Sequence, residues 1–121
     1  MPIIARVTQP AATVTEQDVY RVLHRDYAPA DHEAIGAAIA ALDVREKWRV
    51  VMACFKNGAG DATKVLGQLG EASGYWREII SEAEYPLAYR KIFRMDKLSE
   101  GERQAIYDAD WKQYQEWLRR S

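Results

Sequence analysis

The stretch VLGQLGEASGYWREIISEA, residues 65–83, places Val65, Leu69, Ala72, Trp76, Ile79 and Ala83 at alternating intervals of four and three. In a helix each residue advances about 100°, so these six stay inside one arc, whereas in a strand the mixed odd and even spacing would scatter them over both faces. The segment must therefore bury one side as a helix. Gly67, Gly70 and Gly74 weaken it, each costing about 1 kcal/mol relative to alanine, and predict a tight bend near Ser73 and Gly74 between helices at about 62–72 and 75–84.

The same periodicity recurs on both sides. Thr15 reads as an N-cap with Glu16 and Asp18 in the first turn, opening a helix that buries Val19, Val22, Leu23 and Tyr27. Pro29 ends it or begins the next, and Asp31 is placed to cap a helix with the stripe Ile35, Ala38, Ile39, Leu42. Asp43 and Glu46 have capping-box spacing and predict a third helix running to about Lys56, with Trp48, Val51, Met52 and Phe55 inward. Val50 and Cys54 widen that apolar surface enough to make it the central helix. Asn57 and Gly58 supply its stop, and Asp61 caps the next helix.

Pro86 suits the first turn of a short helix through Arg94 that buries Tyr89, Ile92 and Phe93. Ser99 and Glu102 form a second capping box, opening a last helix that carries Tyr107, Trp111, Tyr114 and Leu118 on one face and Ile106 and Trp117 beside it. These patterns predict an all-α, compact orthogonal or bundle-like array of about five to six short helices. Residues 15–121 form one domain, and residues 1–14, with prolines at 2 and 10 and the alternation Ile3, Ala5, Val7, form an extended N-terminal arm.

A chain of 121 residues with 48% hydrophobic and 29% charged residues has enough material for one core, and no apolar run nears the roughly 20 residues of a spanning helix. The start MPIIARVTQP has no basic leader followed by a sustained apolar run, so the expected location is cytoplasmic. A net charge of −1, spread evenly between the halves, gives no general attraction to nucleic acid or anionic lipid. The lone Cys54 in VVMACF reads as a buried thiol.

Reactive chemistry finds little support. His24 and His32 are the only histidines, neither has Glu three positions before it, and Asp31, His32 and Glu33 diverge as helix neighbours, so no metal or cofactor is expected. Glu78 and Glu82 lie opposite the buried stripe and should be solvated. Asp108 and Asp110 are the more interesting carboxylates, with Asp110 at the edge of the aromatic arc. KNGAGDATK has its lysines and glycines in the wrong order for a phosphate-binding loop. The spacing of Leu69, Gly70, Gly74, Tyr75, Ile80 and Ala83 approximates a helix-turn-helix, yet its reading helix would turn Glu78, Ser81 and Glu82 toward phosphate, which argues against a DNA binder.

Two surfaces stand out. If the helix after Pro86 continues past Arg94, then Arg90, Arg94 and Lys97 form a positive stripe beside Tyr89 and Phe93, suited to an acidic protein or peptide unless Glu100, Glu102, Asp108 or Asp110 pairs with it internally. The wide arc of Tyr107, Trp111, Tyr114 and Trp117 either fits between layers of the chain's own fold or contributes to a homodimer interface.

The segment GYWREIISEAEYP, residues 74–86, resembles a stretch in small uncharacterised bacterial all-helical proteins, where an aromatic-Arg-acidic helix precedes an Ala-Glu-x-Pro exit. The resemblance implies a bacterial, cytoplasmic helical protein and attaches no activity to Trp76, Arg77, Glu78 or Pro86. The expectation is a non-enzymatic protein-protein interaction module. The competing expectation is a small-molecule-binding protein or minor enzyme with a pocket between the aromatic last helix and the helices carrying Trp76 and Tyr89.

Overall fold

A computed structural model describes residues 7–121, and its regular secondary structure there is helical throughout. The helices are α1 (Glu16–Asp26), α2 (Pro29–Ala41), α3 (Lys47–Gly58), α4 (Ala62–Glu84), α5 (Pro86–Arg90) and α6 (Glu100–Arg119), with a 3₁₀ turn at Met95–Lys97. The all-α expectation of five to six helices therefore holds. Ile3 and Ala5 of the expected arm lie outside the described residues.

Capping chemistry sets several boundaries as expected. Thr15 and Asp18 form a reciprocal capping box on α1, Ser99 and Glu102 do the same on α6, and Asp61 accepts the Lys64 N–H at the start of α4. Other boundaries fall elsewhere. The second helix starts at Pro29 after the N-cap residue Ala28, so Asp31 sits in its first turn and does not cap it. Glu46 takes a left-handed conformation (φ 53°) immediately before α3, and no capping box forms with Asp43. The carboxylate of Glu46 binds Arg49 at 2.6 Å instead. At the other end, Asn57 and Gly58 stay within α3, and the left-handed stop is made by Ala59 (φ 49°) and Gly60 (φ 88°).

The stripe of residues 65–83 runs along α4, which consists of two helical segments joined across a kink. The backbone leaves the helical region at Tyr75, one residue beyond the expected break near Ser73 and Gly74, so the segment divides into two helices about where the glycines predict. Val65, Leu69, Ala72, Ile79 and Ala83 are buried as the spacing requires, with Trp76 packed against them, while Glu78 and Glu82 are exposed.

Helix α3 occupies the centre: Val50, Val51, Met52, Ala53, Cys54 and Phe55 are all buried, and α3 packs most extensively on α4. Gly58 permits this approach, because a Cβ there would lie 2.4 Å from Val65 Cγ2 and 2.9 Å from the Tyr27 hydroxyl. Tyr27 uses that hydroxyl to donate to the Phe55 carbonyl at 2.8 Å and to accept from the Gly60 N–H at 3.3 Å. Gly58→Ala should destabilise the protein by about 1–3 kcal/mol, the range for overpacking a filled site. Chemical denaturation checks this, and a stability unchanged within about 0.5 kcal/mol would show that α3 and α4 can separate freely.

A second, smaller cluster of Tyr85, Ala88 and Met95 gathers Leu98, Ile106, Tyr107 and Trp111 around it. Trp111 packs on both clusters and joins them. The aromatic arc of α6 is thus consumed largely between layers of the chain's own fold.

Candidate interaction surface

The segment from Pro86 to Lys97 is held at its beginning and released at its middle. Proline occupies the first turn of α5, and the buried carboxylate of Asp110 on α6 accepts the N–H groups of Leu87 and Ala88, each at 3.0 Å. A carboxylate there satisfies two donors that a helix start leaves free and complements the positive end of the peptide dipoles. Asp110 is therefore a fastening for α5, and its bonds are to backbone N–H groups rather than to a tryptophan or arginine.

Helix α5 ends at Arg90, short of the expected Arg94. The Lys91 N–H donates to the carbonyls of Leu87 and Ala88, and the Arg94 and Met95 N–H groups fold back to Lys91 at 2.7 and 3.0 Å. This tight turn sends Met95 inward and Ile92 and Phe93 outward. Phe93 is 91% exposed and Ile92 60%, opposite to the burial that helical spacing implies. Tyr89 and Leu87 are partly exposed on the same segment, at 38% and 39%.

The continuous helical stripe of Arg90, Arg94 and Lys97 does not form, since those residues sit on α5, on a turn and on the 3₁₀ element. They are nevertheless exposed and close in sequence, together with Lys91 and beside Tyr89 and Phe93. Among the described residues, no ion pair joins Arg90, Arg94 or Lys97 to Glu100, Glu102, Asp108 or Asp110. Glu102 caps α6, Asp108 accepts from Gln104, and Asp110 binds α5, so three of those acids have other employment.

The second expected set behaves differently. Tyr114 is fully buried and cannot line an interface in this fold, which corrects its expected place. Tyr107 makes an edge contact with Tyr85 at 5.6 Å, and Trp117 lies against Tyr114 with the Arg25 guanidinium 5.1 Å from its centroid. Arg25 also donates to carbonyls at the end of α6, tying α1 to that helix. Only the partly exposed edges of Tyr107, Trp111 and Trp117 face outward.

Other polar groups are occupied structurally. Burial pushes the Cys54 thiol up to about 12, which removes its thiolate at neutral pH, and pushes the Tyr27 phenol up to about 12. His24 and His32 bring their rings within 4.8 Å of each other and each bonds a backbone carbonyl, of Tyr20 and Tyr27 respectively. Among the described residues, no group of three or more His, Cys, Asp or Glu gathers as a metal-ligand cluster.

Sequence reasoning missed the most buried charged pair. Glu84 has no exposed surface and accepts from Arg49 Nε and a terminal guanidinium nitrogen, each at 2.7 Å. The available signal was its position four residues after Ile80, on the inward face of α4. A hollow of about 310 Å³ adjoins the exposed segment, bordered by Arg77, Ser81, Tyr85, Tyr89, Ile92 and Tyr107. No protein-family model, curated protein or solved structure matches this chain.

Proposed function

We infer that the protein is a non-enzymatic interaction module that captures an acidic protein or peptide segment through the surface from Tyr89 to Lys97. The observation carrying this reading is Phe93, 91% exposed within a turn flanked by Arg90, Lys91, Arg94 and Lys97. An aromatic side chain held in water favours transfer into a partner, and surrounding cations select a partner of opposite charge. Asp96 is the single acid in residues 89–97, so two copies of this patch meeting face to face would repel. A homodimer, also proposed for this chain, would use the outer edges of Trp111 and Trp117 instead.

The test uses a labelled synthetic peptide of alternating glutamate and leucine. Joint Arg90→Glu and Arg94→Glu changes should abolish its binding with the far-UV helix signal unchanged, and Phe93→Ala should weaken it about tenfold, a loss near 1.4 kcal/mol. Added salt should weaken capture by the native chain. Binding retained in the charge-reversed protein would remove this surface from the function.

The second reading, a small-molecule site between α6 and the helices carrying Trp76 and Tyr89, is favoured by the hollow of about 310 Å³ in that position. Its border includes neither Asp110 nor His24, leaving Gln9, Arg77, Glu78, Ser81 and the tyrosines as its polar equipment.

A further inference from the structure

We propose that the groove between α5 and α6 is a binding site for an extended peptide segment, and that residues 7–10 of the chain are its resident occupant. The contact that points to this is made by Gln104 on α6. Its carboxamide oxygen accepts the Thr8 N–H at 2.7 Å, and its amide nitrogen donates to the Thr8 carbonyl at 3.1 Å. One residue presents both main-chain groups to the same side when it is extended, as paired residues do in a β-ladder. The Gln104 side chain thus acts as a one-residue strand edge.

The receiving side is held from within the groove. The same amide nitrogen donates to Asp108 Oδ1 at 2.8 Å, which orients the carboxamide independently of the strap. Two residues along, the Tyr85 hydroxyl donates to the Pro10 carbonyl. Apart from a long contact between the Thr8 hydroxyl and Gln104 at 3.5 Å, these bonds address the strap's main chain. Recognition of that kind tolerates many side chains, and proline is accepted at the tenth position because only its carbonyl is used.

The groove has room on both sides of its occupant. Gln9 borders two hollows of about 310 and 400 Å³ that share Ile92, Met95 and Tyr107, so the strap lies across a longer trough. Arg103 borders the second hollow, and its Nε is buried without an acceptor among the described residues. Another carbonyl of a bound peptide would satisfy it. The strap's hydrogen bonds are few and neutral, those to Gln104 exposed and that to Tyr85 partly buried, and such bonds contribute modestly in competition with water, so the strap is displaceable. The ligand class is an extended segment with a free N–H and C=O at one residue and a carbonyl two residues later. This goes beyond capture of an acidic partner and stands without it, since none of the strap's hydrogen bonds uses a basic residue of residues 89–97.

The test uses the full chain and a labelled, N-acetylated hexapeptide of residues 7–12, Val-Thr-Gln-Pro-Ala-Ala. Thr8→Pro removes the strap's amide donor while leaving every groove residue in place, and should tighten hexapeptide binding about threefold or more over the native chain. Adding Gln104→Leu to that variant should weaken binding about tenfold, with helix content unchanged in both proteins. Equal hexapeptide binding by the native and Thr8→Pro chains, or indifference to Gln104→Leu, would overturn the proposal. So would a native dimer that Thr8→Pro converts to monomer, because a second copy's strap would then be the occupant. None of these results alters the expected binding of the acidic peptide at Phe93, which separates failure of the groove from failure of that surface.

Discussion

Replacing Arg49 with methionine should destabilise the protein by about 3–5 kcal/mol, the cost of removing one partner from a buried ion pair. Arg49 reaches from α3 to Glu84 at the end of α4 through two nitrogens at 2.7 Å, and its remaining terminal nitrogen holds Glu46 at 2.6 Å. The Glu84 side chain has no exposed surface, so methionine would leave a carboxylate with neither water nor a cation. Glu84→Gln should cost less, about 2 kcal/mol, because Arg49 keeps Glu46 and is itself partly solvated. The double change Arg49→Met with Glu84→Met should recover most of the loss, since a buried pair exchanged for apolar side chains is often close to neutral. Urea denaturation of the three variants measures all of this. A cost below about 1 kcal/mol for Arg49→Met would mean that water reaches Glu84 and that the pair is not a closed unit.

That pair also marks where the sequence stops being legible. The stripe from Val65 to Ala83, the N-cap at Thr15, the capping box at Ser99 and the enclosed run around Cys54 could all be read because each is a local pattern whose consequence is local geometry. The burial of Glu84 had only one sequence signal, its place four residues after Ile80, and nothing local named its partner. That partner lies 35 residues earlier, and a glutamate at a helix end is ordinarily a solvated side chain. A local competitor accompanies the failed capping box at Asp43. Arg49, three residues on, binds the Glu46 carboxylate, and the Glu46 backbone turns left-handed, so the residue that would close the box is committed elsewhere.

The candidate surface was legible in composition and misread in geometry. Residues 89–97 have helical spacing, which would bury Ile92 and Phe93 and align the basic residues. The chain turns at Lys91, whose carbonyl takes the Arg94 and Met95 N–H groups, and Met95 enters the small cluster. Phe93 is expelled as a consequence. The trough under the strap gave no local pattern at all, because Thr8 and Gln104 are 96 residues apart.

Asp110→Ala should cost about 2–4 kcal/mol and should disable the proposed surface at the same time. The aspartate is buried and accepts two backbone N–H groups, so its removal leaves both donors at the start of α5 without a partner, at about 1–3 kcal/mol each before relaxation. Asp110→Asn should be milder for stability, because one amide oxygen can still accept one donor while its NH₂ group opposes the other. In either variant the loss is concentrated on α5, whose five residues cannot remain helical without tertiary support. Amide exchange at Leu87 and Ala88 should therefore accelerate more than exchange in α3, where protection follows the global stability. Because Tyr89 and Arg90 ride on α5 and Phe93 on the turn it feeds, the acidic peptide should bind several-fold more weakly even under conditions where the variant is fully folded. Uniformly faster exchange with unchanged peptide affinity would show that Asp110 supports the core alone and that the turn carrying Phe93 keeps its shape without it.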